Sequence, residues 1–166
     1  MENNFENNKK NLKEIRNRLL KLHKHLLDWD RAAFEKNHGP VAAGKFLEML
    51  LSDPKFSWLR TISTLIVRID ESFDLDDGLS TDMMDGFYNE IDDILNFEND
   101  EYTEFKEKLR VALEELPDAK KLKKEIENLH GEYEKVWWKP SHLFILNQAL
   151  KRLFSTAVFP IFQECI

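Results

Sequence analysis

The sequence predicts an all-α protein, an antiparallel helical bundle of about six to seven helices. Apolar residues recur every three or four positions through most of the chain, as they do along one face of a helix. Only 5 Gly and 5 Pro occur in 166 residues, which is few for the many tight turns of a sandwich or barrel. No internal repeat or strand-hairpin signal interrupts this pattern. We therefore expect one helical domain over residues 1–166, with residues 1–8 frayed.

The first helix is the most clearly marked element. It ends at His38-Gly39-Pro40, because glycine is the usual left-handed residue after a helix and proline cannot continue one. Its apolar stripe alternates spacings of three and four, as in a heptad seam. The stripe consists of Leu12, Ile15, Leu19, Leu22, Leu26, Trp29 and Ala33, widened by Leu20, Leu27 and Phe34.

The later helices are marked by the same periodicity and by capping residues. Asp53-Pro54 provides an N-cap and a proline at the first helical position, and Ser80 or Thr81 caps another helix. Pro117-Asp118 either breaks or kinks the fifth helix before the sixth. The predicted helices after the first cover about residues 42–51, 54–73, 81–95 and 101–116, then a sixth that carries apolar residues from Leu122 to Val136, and a seventh over about 142–160.

Composition indicates a cytoplasmic protein with no membrane contact. The first 25 residues are rich in Asn and Lys rather than apolar, so no signal peptide is visible. The longest apolar region, 143–166, is interrupted by Lys151 and Arg152, which a membrane span would have to bury. A single cysteine, Cys165, excludes an internal disulfide framework and a multi-cysteine zinc site.

Charge is distributed unevenly along the chain, whose net charge is -7. Residues 9–24 contain seven Lys or Arg and one acid, whereas residues 70–104 contain fourteen Asp or Glu and no Lys or Arg. The basic segment can neutralise the acidic one within a molecule, or reach a second copy, or both can face outside partners. From this asymmetry we expect a homodimer assisted by charge. The acidic balance disfavours nucleic acid as a partner.

Two Glu-x-x-His motifs, Glu35 to His38 and Glu127 to His130, match the spacing of dimetal helical bundles. The helical wheel argues against both. Glu35 lies about 160° from the Leu19 direction, and Glu127 lies about 100° or more from its own apolar stripe. Ligands in a bundle must project inward. No phosphate loop, nucleophile elbow or calcium loop is present either, so the sequence predicts no metal, no cofactor and no catalytic residue.

His23 and Asp30 are polar residues inside the apolar stripe. Both fall within about 40° of the Leu19 direction. A polar group on that face must find a partner or lower the stability of the fold. They therefore predict either an internal hydrogen-bond network, the more usual outcome, or the polar contacts of a ligand-binding pocket.

The stretches "LHKHLLDWDRAAFEKNHGPV" and "LLSDPKFSWLRTISTLIVRIDE" resemble an uncharacterised bacterial all-helical family of unknown function. The resemblance covers about residues 20–75 and implies a helical fold and bacterial origin, but no activity. The positions that carry it are Leu22 to Lys24, Leu26, Leu27, Arg31, Phe34, Glu35, His38, Gly39, Asp53, Pro54, Phe56, Trp58, Leu59 and Ile69 to Glu71.

Three functions remain open from the sequence. The leading interpretation is a non-catalytic protein that acts through protein–protein interaction or self-association. The second is a small-ligand-binding bundle with a polar pocket around His23 and Asp30. The third is a dimetal helical-bundle enzyme.

Overall fold

The computed structural model describes residues 2–98 and 100–137, and this part of the chain contains α-helices and no β-strand. The predicted all-α bundle is confirmed, whereas the antiparallel arrangement stays a prediction. The predicted seventh helix and Cys165 lie outside the described residues. The helices are α1 (Glu2–His38), α2 (Ala43–Ser52), α3 (Ser57–Phe73), α4 (Thr81–Leu95), α5 (Thr103–Glu115) and α6 (Pro117–Trp137), with a 3₁₀ turn at Pro54–Phe56.

Helix α1 begins at Glu2, well before the apolar stripe starts at Leu12. The fraying expected for residues 1–8 stays a prediction. Asn8 is buried, and the hydroxyl of Tyr88 in α4 donates a 3.1 Å hydrogen bond to its backbone carbonyl oxygen. This contact holds the beginning of α1 against α4.

The predicted helix ends match the structure closely. Gly39 has a left-handed φ of +81°, and its N–H donates to the carbonyl oxygen of Glu35 at 2.8 Å, which closes α1. The Asp53 side chain accepts from the N–H of Lys55 and caps the 3₁₀ turn. The Ser80 hydroxyl accepts from the amide of the third residue of α4 and caps that helix.

The core is built around α1, which packs against α3, α4 and α5. Its buried stripe departs from the heptad pattern after Leu26, because Asp30 is buried while Trp29 is half-buried and Ala33 is exposed. A straight helix drifts by about 20° per heptad, which turns the later heptad positions away from the core. Leu20, expected to widen the stripe, is also exposed. The fully buried stripe residues are Leu12, Ile15, Leu19, Leu22 and Leu26.

Residues 1–131 form one compact unit of the chain. The packing of α1 to α5 and the side-chain contacts of α6 up to Gly131 lie within this unit. The single domain expected over residues 1–166 stays a prediction.

Candidate functional site

His23 and Asp30, the two polar residues of the α1 stripe, lie against the beginning of α3. The Asp30 side chain is buried, and the indole Nε1–H of Trp58 donates a 2.9 Å hydrogen bond to its Oδ2. The Trp58 ring in turn contacts Trp29 edge-on, with centroids 6.4 Å apart, and Phe105, with centroids 5.8 Å apart. The hydrogen bond gives a partner to two polar groups whose burial alone would cost stability.

His23 forms a second polar contact between the same two helices. Its side chain is half-buried, and burial lowers the pKa of the imidazole below its ordinary value. The adjacent backbone of Leu59 offsets part of that shift. His23 and Asp30 are two turns apart, about 10 Å along the helix axis. Each therefore makes its own connection between α1 and α3, with a protein group as its partner.

In the first Glu-x-x-His motif, Glu35 binds groups on both sides of the end of α1. The Glu35 carboxylate accepts from Nε of Arg31 at 2.9 Å and from the N–H of Val41 at 3.1 Å, and these two donors lower its pKa, the Val41 amide most. The Arg31 guanidinium also donates to the Val41 carbonyl oxygen at 2.7 Å. His38 is exposed and stacks on Phe34.

The expectation that Glu35 faces only solvent needs a correction. Its side chain is 29% exposed rather than open to water. The helical wheel placed it correctly on the side away from the core. The wheel could not show that the chain beyond the helix end folds back and brings the Val41 amide to the carboxylate.

The two residues of the second Glu-x-x-His motif, Glu127 and His130, make separate contacts. Glu127 is exposed and forms an ion pair with Lys123 on the same helix. The Nε2 atom of His130 lies 2.9 Å from the carbonyl oxygen of Tyr88 in α4. Across residues 2–98 and 100–137, no group of three or more His, Cys, Asp or Glu side chains is arranged to hold a metal ion.

The acidic surface, defined as the carboxylates of residues 70–104, receives positive charge from residues outside that segment. Arg16 of α1 forms an ion pair with Asp70, so internal neutralisation, one of the three expected possibilities, takes place at this point. Nη1 of Arg68 donates to both carboxylate oxygens of Glu90, at 2.8 and 2.6 Å. The exposed carboxylates are Glu71, Asp74, Asp76, Asp77, Asp82, Asp92, Glu98, Asp100, Glu101 and Glu104.

A cleft of about 400 Å³ lies between α3 and α4 within the acidic surface. Phe87 is buried there, and the Arg68 guanidinium lies over its ring, 5.7 Å from the centroid. Leu75 is 46% exposed, so the cleft presents apolar surface to water. The cleft is lined by Arg68, Glu71, Ser72, Leu75, Met83, Gly86 and Phe87.

A second cleft, of about 440 Å³, carries the opposite charge. It lies where the turn after α4 meets α5 and α6. The Phe97 ring is flanked by two cations, with the Arg110 guanidinium 5.1 Å and the Lys123 ammonium 4.9 Å from its centroid. Lys120 and Lys124 also line this cleft and are exposed.

Sequence reasoning missed both clefts. Their residues are spread over elements that are separated along the chain, and periodicity identifies only the face that each helix buries. In the sequence, Gly86 was the one available signal for the cleft between α3 and α4. A glycine inside a helix lowers stability by about 1 kcal/mol relative to alanine, and this one has an ordinary helical φ. A Cβ at this position would meet no atom within 4 Å, so the fold itself does not require glycine here.

Within residues 2–98 and 100–137, no helix is both long enough and apolar enough to cross a membrane. Comparison of the chain with protein-family models, with curated proteins and with solved structures finds no match. The resemblance to an uncharacterised bacterial family therefore stays a prediction, carried by the residues at positions 20–75.

Proposed function

We propose that this chain is a non-catalytic helical protein that acts by binding another protein through its acidic surface. The observation that carries the proposal is the exposure of most carboxylates of residues 70–104, with positive charge brought to Asp70 and Glu90 by Arg16 and Arg68. Crowded like charges raise the free energy of the surface, and a cationic partner lowers it. Such a partner would also associate faster, because complementary charges steer the encounter.

Asp85 lies one helical turn after Asp82 in α4. The pKa of Asp85 is raised, mainly by burial and to a smaller extent by the negative charge of Asp82. A positive group bound nearby would favour the ionised form of Asp85. The acidic surface therefore gains from a cationic neighbour at a specific place, the first turns of α4.

Self-association is the alternative within the same proposal. The chain has exposed positive groups that could meet the acidic surface of a second copy, among them Lys10, Lys13 and Lys21 on α1 and Arg110 and Lys120 at the basic cleft. Light scattering over a salt series separates the two versions. A dimer held by these charges weakens as the Debye length falls from about 10 Å at 0.1 M salt to about 3 Å at 1 M.

The small-ligand alternative, with His23 and Asp30 as polar contacts, has less support. Asp30 accepts from Trp58 and His23 lies against the Leu59 backbone, so protein groups already occupy positions that a ligand would need. The two clefts described above are lined by other residues. The dimetal alternative has less support still, because Glu35 and Glu127 each bind a base on their own helix. Metal analysis of the purified protein tests it directly.

Capture of partners from the source cell tests the leading proposal, with two variants of equal charge change. In the first, Asp74, Asp76 and Asp77, which are exposed at the end of α3, are replaced by Asn. In the control, the exposed Glu6, Glu107 and Glu114, which lie outside the acidic surface, are replaced by Gln. We expect wild type and control to retain the same proteins and the first variant to lose them. Equal capture by all three chains would contradict a role for the acidic surface. The bacterial origin and cytoplasmic location expected from the sequence remain part of this proposal.

A further inference from the structure

The cleft between α3 and α4 is an open groove with an apolar floor. Its α3 wall runs from Arg68 to Ser72, about one helical turn or roughly 6 Å, and continues beyond the helix end to Leu75. Phe87 and Met83 supply apolar surface from α4. A small ligand needs about 70–90% of its surface buried, which an open groove does not provide. The groove suits one or two apolar side chains presented by a larger molecule.

Gly86 leaves the α4 side of the groove without a side chain at this position. It is exposed, and a Cβ built on it would meet nothing within 4 Å. The positions Met83, Gly86 and Phe87 share one face of α4, because residues three and four apart are neighbours on a helix. The missing side chain therefore leaves space between two apolar groups, where another backbone can approach closely.

One end of the groove, at the connection between α3 and α4, is acidic. Asp74, Asp76 and Asp77 adjoin Leu75 in the chain, and Asp82 adjoins Met83. Glu71 lines the groove and forms no ion pair among residues 4–98 and 100–133. The one positive group, Arg68, is held by both oxygens of Glu90 and so presents little net charge to an occupant. An occupant must therefore combine apolar side chains with positive charge.

From these three features we infer that the α3–α4 groove docks a basic amphipathic helix of a partner protein, with apolar residues on the floor and Lys or Arg toward the acidic end. A helix fits better than an extended strand, because residues 2–98 and 100–137 offer no sheet edge to extend. Two helices packed side by side present a groove that a third helix can enter with residues at i, i+3 and i+4. This inference rests on the proposed function, and it names the surface and the chemistry of the partner.

The binding test uses the 166-residue chain and a labelled synthetic peptide of leucine and lysine, about four helical turns long, with its leucines on one face. Two control peptides accompany it: one with the same composition but scattered leucines, and one with glutamate in place of lysine. Fluorescence anisotropy measures the affinity. We expect the amphipathic basic peptide to bind, more weakly at high salt, and both controls to bind at least about tenfold more weakly.

The substitution Gly86→Leu should block the groove, and Gly44→Leu is its matched control. Both glycines are exposed within helices, and a Cβ on either would meet nothing within 4 Å, but only Gly86 lines the groove. Both changes should favour the folded state, because glycine is a poor helix former. We expect Gly86→Leu to weaken peptide binding about tenfold or more, and Gly44→Leu to leave it within about twofold. Equal binding by the two variants would overturn the inference.

A photo-crosslinking version of the basic peptide tests the same inference on the wild-type chain, without any substitution. Cross-links on the wild-type chain should fall within residues 67–87, and cross-links confined to other helices would overturn the inference. A dimer that forms without peptide and is abolished by Gly86→Leu would also overturn it, since the occupant would then be a second copy. In the cell-capture experiment, loss of partners from the Asp74, Asp76 and Asp77 variant with full capture by Gly86→Leu would leave the proposed function standing without this groove.

Discussion

Trp58 and Asp30 form a buried indole–carboxylate hydrogen bond between the beginning of α3 and the last third of α1, with 2.9 Å between Nε1 and Oδ2. We expect Asp30→Ala to lower the free energy of unfolding by on the order of 1–3 kcal/mol, because the indole N–H is left without an acceptor. Asp30→Asn keeps an acceptor oxygen and should cost less. Urea unfolding measures both variants.

Asp28→Ala is the control for this prediction. Asp28 lies on the exposed side of α1 and pairs with Lys24. Its replacement should change stability by no more than about 0.5 kcal/mol. Equal effects at Asp28 and Asp30 would contradict a structural role for the Trp58 bond.

The lowered pKa of His23 predicts a stability that depends on pH. The unfolded chain has an ordinary histidine pKa of about 6.5, so it binds a proton at a higher pH than the folded protein does. The free energy of unfolding should therefore fall as the pH decreases below that value. His23→Gln should remove this part of the pH dependence, as seen in unfolding curves taken between neutral pH and pH 5. The same change at exposed His38 should leave it in place, and loss of the dependence in both variants would argue against His23 as its source.

Glu35 should restrain the connection between α1 and α2. Glu35→Ala removes the acceptor of both Arg31 and the Val41 amide, so the Val41 N–H should exchange with solvent deuterium faster than in wild type. Glu35→Gln retains an acceptor for Val41 and should show an intermediate rate. Glu127→Ala, at an exposed carboxylate paired only along its own helix in the described structure, serves as the control and should leave that amide unchanged.

The Arg16–Asp70 ion pair should contribute modestly to stability. Asp70 is 42% exposed at its side chain, and pairs open to solvent contribute about 0.2–1 kcal/mol. A double-mutant cycle with Arg16→Gln and Asp70→Asn measures the coupling, which should shrink as salt is added. A coupling of zero at low salt would show that α1 does not neutralise the acidic surface at this contact.

The helices of this chain could be predicted because their signals are local. Gly39, Asp53 and Ser80 act at the helix ends where capping chemistry places them. The burial of Asp30 also followed from its position on the wheel. Its partner could not be found in this way, since Trp58 lies 28 positions away and periodicity says nothing about which helices meet.

The candidate groove depended even more on tertiary structure. Met83 and Phe87 look like ordinary core positions of a predicted helix and Leu75 looks like a loop residue, and only the packing of α3 against α4 leaves a gap above Gly86. For Glu35, the helical wheel predicted the direction of the side chain. It could not predict the second hydrogen-bond donor, because the Val41 amide lies in the turn beyond the helix end.

The position of α1 in the chain has a consequence during protein synthesis. Its apolar stripe leaves the ribosome before α3, α4 and α5, the helices that cover it. The bond between Asn8 and Tyr88 joins residues 80 positions apart, a length that takes roughly 4–16 seconds to translate at about 5–20 residues per second. Until α3 has been translated, the leucines of α1 lack the helices that cover them in the folded protein. The nascent chain therefore presents an uncovered amphipathic helix, which is the kind of surface that holdase chaperones bind.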